Sequence, residues 1–168
     1  MKNVYIVGFM GTGKSSIGRI LAGSLGLEFI EMDDVIEERE GQRIVDIFAN
    51  KGEEYFREVE NKLLKELSHQ ENLIISRGGG LACNDNNLKI LKDTGVVFTL
   101  KASARCIYER VKNKQHRPLL NVEDPLEEIE RLLDKRERYY SKAHYIIDTE
   151  ALSIEKIVRL ITEKLKNG

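Results

Sequence analysis

A chain of 168 residues is long enough to bury a core without disulfide staples, and it reads as one domain over residues 1–168. With 41% hydrophobic and 33% charged residues, and 27 Lys plus Arg against 28 Asp plus Glu, no global field draws it to nucleic acid or an acidic membrane, so an anionic ligand must be held by local clusters. Its apolar runs fall short of the roughly 20 residues that a membrane helix needs, the N-terminus lacks a signal-peptide pattern, and Cys83 and Cys106 form no C-x-x-C pair, so the expected setting is cytoplasmic, without membrane or nucleic-acid partners.

The chain opens on a predicted strand at residues 4–7, Val4-Tyr5-Ile6-Val7. It runs directly into Gly8-Phe9-Met10-Gly11-Thr12-Gly13-Lys14-Ser15, of the form G-x-x-x-x-G-K-[ST]. A helix at 15–25 follows, with Ile17, Ile20, Leu21 and Leu25 at helical spacing. Glycines at such a turn let backbone amides converge on phosphate oxygens, and the helix start adds the positive end of its dipole. Lys14 would reach the β- and γ-phosphates, and Ser15 would offer its hydroxyl to Mg²⁺. A strand-to-helix turn that binds nothing is the alternative, but all four fixed positions and both flanks favour a nucleotide.

The second strand, at 28–30, ends in Glu31-Met32-Asp33-Asp34, ahead of a helix at 34–40. Ligands of open α/β sheets gather at the carboxyl ends of strands, which places this acidic group where chemistry is expected. In an extended segment Glu31 and Asp33 share one direction, one serving Mg²⁺ or its waters and the other accepting a hydrogen bond from an acceptor hydroxyl. Acidic residues before a helix also compensate its dipole, a part that suits Asp34 better. Helices follow around 44–49 and at 53–68, the second carrying Tyr55-Phe56-Arg57. The third strand, at 73–75, leads into Ser76-Arg77-Gly78-Gly79-Gly80. Three successive glycines clear side chains from a place of close approach, or else make a flexible turn; a position beside the phosphate loop favours substrate contact.

A helix at 85–92, a strand at 96–100 and a helix at 104–112 precede a polar, basic segment at 112–124. Pro118 and Pro125 bracket its second half, and its make-up is that of a lid. A helix at 125–141, a strand at 145–147 and a helix at 153–166 complete the chain. Five strands alternating with helices imply a three-layer α/β/α fold around a mainly parallel sheet. Arg57, Arg110, Arg117 and Arg136 supply the forks that bind carboxylates and phosphates, whereas Arg39, Arg131 and Arg138 read as solvated helix residues. His69, His116 and His144 lack metal-ligand spacing, and the Asp-x-x-Gly and Asn-Lys-x-Asp motifs of nucleotide switches are missing. The residues by themselves define a small-molecule kinase.

Over nearly its whole length the chain resembles the shikimate kinases, phosphate-loop enzymes similar in fold to nucleoside monophosphate kinases. The resemblance is carried by the loop at 8–15 with Ser16-Ile17-Gly18-Arg19, the acidic pair ending strand two, Phe56-Arg57 and Gly78-Gly79-Gly80. Arg117-Pro118-Leu119-Leu120 and Lys135-Arg136 with Tyr139 beyond complete it. The loop is widely shared; the glycine triplet with Arg-Pro-Leu-Leu and two spaced arginines is far more selective. The resemblance implies a five-stranded parallel sheet ordered 2-3-1-4-5, a substrate-binding region at about 33–61 and a lid at about 112–124. It implies a monomer that transfers the γ-phosphoryl of ATP to the 3-hydroxyl of shikimate, on the route to chorismate and the aromatic amino acids.

The same resemblance assigns residues. Asp33 would bind the acceptor hydroxyls and act as base, Arg57 and Arg136 would hold the shikimate carboxylate, and Gly79 with Gly80 would offer backbone to the substrate. Gly11, Thr12, Gly13, Lys14, Ser15 and Ser16 would cradle the ATP phosphates, with Lys14 on the transferred group, Ser15 on Mg²⁺ and Glu31 in its outer sphere. Arg117 would descend from the lid onto the phosphates, and Arg110 would lie along the adenine. Glu31 stands where the family commonly has Asp, and Glu150-Ala151-Leu152 stands where some members place an arginine near adenine. Other readings are a gluconate kinase, whose acceptor also bears a carboxylate, a nucleoside monophosphate kinase, or a non-catalytic nucleotide-binding module. Gly78-Gly79-Gly80 with Arg117-Pro118-Leu119-Leu120 argues against the other kinases, and the retained catalytic positions argue against the module.

Overall fold

The computed structural model describes residues 1–114 and 121–168. Strand β1 (Asn3–Gly8) is buried along its whole length, and its side chains alternate between two apolar faces. Tyr5 and Val7 enter one core, Val4 and Ile6 the other. A strand buried on both sides belongs in the middle of a parallel sheet, and β1 is flanked by β3 (Leu73–Ser76) and β4 (Gly95–Lys101). Strand β2 (Glu28–Glu31) lies outside β3, and β5 (Tyr145–Asp148) outside β4. The order is β2-β3-β1-β4-β5 with every pairing parallel, as expected.

Helices α1 (Lys14–Leu25) and α7 (Ile154–Asn167) cover the face of Val4 and Ile6, with Ile17, Leu21, Ile157 and Ile161 in the shared core. The opposite core takes Met32 and Ile36 from α2 (Met32–Glu40), Ile47, Phe56 and Leu64 from α3 (Ile44–Ser68), and Leu91 from α4 (Asp85–Thr94). A smaller cluster joins Phe9 to Ile107 of α5 (Ala104–Val111) and Ile129 of α6 (Pro125–Tyr140). Asp124 caps α6 by accepting from Glu127 N at 3.1 Å, and Pro125 begins the helix where its missing N–H is harmless.

Two elements depart from the sequence reading. Helix α2 begins at Met32, so Asp33 lies in a helical first turn and the extended segment expected for Glu31 and Asp33 does not form. Met32 and Ile36, four residues apart and fully buried, explain the earlier start: both enter the core only if the helix begins there. The helices expected at 44–49 and 53–68 join as α3, broken at Gly52 with φ 85° and ψ 168°. Of the lid segment, residues 115–120, with His116, Arg117 and Pro118, lie outside the described residues. Among the described residues no helix is long and apolar enough to cross a membrane.

Candidate active site

Because the strands are parallel, the ends of β1, β2 and β3 open on one edge, and the register sets Ile6 and Glu31 both beside Ser76. The phosphate loop leaves β1 on that edge. Gly8, Gly11 and Gly13 have φ of 145°, 74° and 86°, a conformation that L side chains resist. Gly13 caps α1 without a side-chain bond, and no acidic residue occupies the helix's first turn, so the positive end of the helix dipole is left uncompensated, as suits an anion. The loop is braced at the Phe9 carbonyl, which accepts from Thr12 Oγ1 and from Lys14 Nζ, both at 2.7 Å.

Ser15 donates its hydroxyl to Glu31 Oε2 at 2.5 Å, joining the start of α1 to the end of β2. Burial pushes the Glu31 carboxyl above its ordinary range, while the hydrogen bond from Ser15 pulls the other way. A desolvated carboxylate beside a hydroxyl at the mouth of a phosphate loop suits a hydrated Mg²⁺, which takes few protein ligands and completes its shell with water and phosphate.

The second half of the site gathers around the glycine triplet. A Cβ on Gly78 would lie 3.4 Å from Asp33 Oδ2, one on Gly79 would lie 2.5 Å from Arg136 Nη1, and one on Gly80 would lie 2.6 Å from Arg57 Nη2. Residues from α2, α3 and α6 thus meet over the turn after β3, with Asp33, Arg57 and Arg136 brought together there. Arg136 also lies over the Phe9 ring, its guanidinium carbon 5.2 Å from the centroid, which ties this half to the phosphate loop. Tyr140, one turn beyond Arg136, donates to the Gly79 carbonyl at 3.0 Å, and Cys83 Sγ donates to the same oxygen at 3.1 Å. Burial pushes the Tyr140 phenol far up, so it remains a donor at any working pH.

Arg110 donates to the Gly11 carbonyl at 2.9 Å and to Thr149 Oγ1 at 3.1 Å, bridging the phosphate loop and the segment after β5. Glu150 accepts from Ser103 N and Oγ, at 3.1 and 2.7 Å, and so anchors the start of α5. Surface pairs occupy the arginines read as solvated: Arg39 with Glu66, Arg131 with Glu128, and Arg138 with the Tyr139 hydroxyl. Both cysteines are free.

Sequence reasoning missed Glu60, Arg77 and Tyr140. Glu60 and Arg77 are buried and charged, and Glu60 accepts from Arg57 Nη1 at 2.9 Å. The i,i+3 spacing of Arg57 and Glu60, and the i,i+4 spacing of Arg136 and Tyr140, were the available signals.

A phosphate loop on the central strand, beside a cluster of charged side chains brought by helices to the same edge of a parallel sheet ordered 2-3-1-4-5, defines a phosphate-loop kinase fold. The shikimate kinase family model matches residues 10–166, and the chain belongs to that family. It is 44% identical over 171 residues to the shikimate kinase of Thermodesulfovibrio yellowstonii, covering 100% of this chain and 99% of that one. Among solved structures, shikimate kinase from Acinetobacter baumannii in complex with shikimate superposes with a TM-score of 0.93 at 35% identity, covering 99% of this chain and 94% of that one. A gluconokinase from Sinorhizobium meliloti 1021 reaches a TM-score of 0.60 at 18% identity, covering 98% and 95%, a likeness of fold alone.

Proposed function

We propose that this chain transfers the γ-phosphoryl group of ATP to the 3-hydroxyl of shikimate, yielding shikimate 3-phosphate and ADP. The observation that carries the reading is the meeting of Asp33, Arg57 and Arg136 over Gly78-Gly79-Gly80, beside the phosphate loop. Arg57 and Arg136 pair with the shikimate carboxylate, and Gly79 and Gly80 lend backbone close by. Asp33 accepts a hydrogen bond from the 3-hydroxyl and takes its proton as the oxygen attacks the γ-phosphorus. Amides of residues 11–16 cradle the phosphates while Lys14 follows the transferred group and neutralises charge building on its oxygens.

Ser15, with Glu31 behind it, would hold Mg²⁺, which would supply further neutralisation of charge on the phosphates. Arg110 flanks the adenine. Arg117 reaches the phosphates from a lid at about 112–124, and the region at about 33–61 moves with the acceptor. The chain works as one kinase domain, a monomer, in the cytoplasm, a setting that fits its free cysteines and balanced charge.

A coupled ADP-release assay over shikimate, gluconate and the nucleoside monophosphates tests this. Release with shikimate and Mg²⁺ alone is expected. Release with another acceptor and none with shikimate overturns the reading, and turnover independent of every acceptor revives the nucleotide-binding module.

A further inference from the structure

Arg77 leaves the end of β3 for the protein interior, where its side chain is only 4% exposed. Its fork is divided between two helices. Nη1 pairs with Asp33 Oδ1 of α2 at 3.3 Å, and Nη2 pairs with a carboxylate oxygen of Glu60 on α3. The other oxygen of Glu60 accepts from Arg57 Nη1. The four side chains make a continuous series of alternating charge, Asp33, Arg77, Glu60, Arg57, that runs from one end of the acceptor pocket to the other. Phe56 packs against the series, its centroid 5.9 Å from the Arg77 guanidinium carbon and 5.5 Å from that of Arg57.

A fully buried Glu60 requires cations, and a single contact with Arg57 would meet that need. The second arginine adds geometry. A planar guanidinium fixes two acceptors at a set distance and angle, which a flexible ammonium cannot do. Here the two acceptors are carboxylates of separate helices, one of which carries Asp33 and the other Arg57.

We propose that Arg77 is a positioning residue that sets the separation between Asp33, at the hydroxyl end of the acceptor, and Arg57, at its carboxylate end. The inference rests on the acceptor-site reading above. Arg77 itself touches no substrate; it acts through Asp33 and through Glu60. Burial lowers its pKa to about 10, which leaves it charged at neutral pH and able to hold both carboxylates.

The test is Arg77→Lys, which keeps a cation beside Glu60 and gives up the fork. The variant is expected to melt near the wild type, with kcat reduced by about tenfold and shikimate KM raised by about fivefold, while ATP KM stays within about twofold. A role confined to folding would leave a folded Arg77→Lys enzyme with wild-type kcat and shikimate KM, and that result overturns the proposal. Should Arg77→Lys fail to fold, Arg77→Met combined with Glu60→Gln removes both buried charges and is compared with Glu60→Gln alone. A kcat about tenfold below the single variant is expected, and equality overturns the proposal. Wild-type protein without shikimate-dependent ADP release overturns the acceptor reading and this inference together, whereas an active wild type with an unaltered Arg77 variant overturns this inference alone.

Discussion

Gly79 and Gly80 lack side chains because of the space around them. The groups that a Cβ would strike, Arg136 Nη1 and Tyr140 Oη at 2.5 Å and Arg57 Nη2 at 2.6 Å, are ends of flexible side chains. A methyl at Gly79 must displace both the arginine fork and the hydroxyl of the buried Tyr140, which donates to the Gly79 carbonyl, so it disturbs the site and costs some stability. Gly79→Ala should raise shikimate KM by about tenfold and lower Tm modestly, with the protein still folded, as measured by steady-state kinetics and thermal unfolding. If Arg57 and Arg136 hold the shikimate carboxylate as proposed, Arg57→Ala and Arg136→Ala should each remove a charge-assisted pair worth roughly 1.5 to 3 kcal/mol and raise shikimate KM by about one to two orders of magnitude, with ATP binding little changed. Equal losses for both ligands in a titration would point to general structural damage. Lys14→Ala should lower kcat by on the order of a hundredfold in a protein that still folds, because glycine backbone builds the loop. An active Lys14→Ala enzyme would defeat that assignment. Lys14, Arg57, Gly79 and Arg136 were legible in the sequence because each sits in a local motif or beside one. Arg77 was not, because its partners lie on two helices and only the folded chain brings them to the end of β3.

Elements were legible where periodicity is strong and ambiguous where backbone conformation decides. Each apolar run became a strand within a residue or so of its expected ends, since parallel strands buried on both faces leave little else for such runs to do. The α2 start was obscured because Glu31-Met32-Asp33-Asp34 reads as polar; burial of Met32 and Ile36 outweighed that pattern. Helix α3 marks the opposite case, since Gly52 separates its halves as the sequence reading had it, while the helical runs on either side abut. No atom outside its neighbours lies within 4 Å of a Cβ at Gly52, so the penalty for a side chain there comes from φ and ψ alone. Gly52→Ala should destabilise by about 1 to 3 kcal/mol in denaturant unfolding. Unchanged stability would mean that the two halves of α3 can straighten into one helix.

At the scale of the whole molecule, His144 gives the sheet a dependence on pH. Its Nδ1 accepts from Val97 N at 3.0 Å, which extends the β4 edge beside the start of β5. Partial desolvation of the ring where it meets β4, with Lys92 and Lys2 nearby, holds its pKa below the usual value. The fold thus prefers the neutral ring. Its contribution is fully present above the unfolded value of about 6.5 and is lost as pH falls toward the folded one. His144 is exposed, so the effect is small, and a His144→Asn protein should lose Tm less steeply than the wild type between about pH 7 and 5. A parallel decline in both proteins would assign acid sensitivity elsewhere. If the segment at 112–124 closes as the proposed lid, hydrogen exchange there should slow when ADP and shikimate bind together; equal protection with and without the ligands would overturn the lid.

Strand β1 has no sheet partner close to it in sequence. Val4 pairs with Ile74 on one side and Val96 on the other. On a ribosome adding roughly 5 to 20 residues per second, the phosphate loop emerges seconds before the strands that flank it. Until β3 and β4 follow, Val4-Tyr5-Ile6-Val7 is an unpaired apolar edge, and the amides meant for phosphate have no frame to aim them. Chains arrested before Lys101 should therefore occupy chaperones and gain nothing from ATP. The phosphate loop, made before either strand that flanks it, becomes able to hold a nucleotide only once β3 and β4 have followed it.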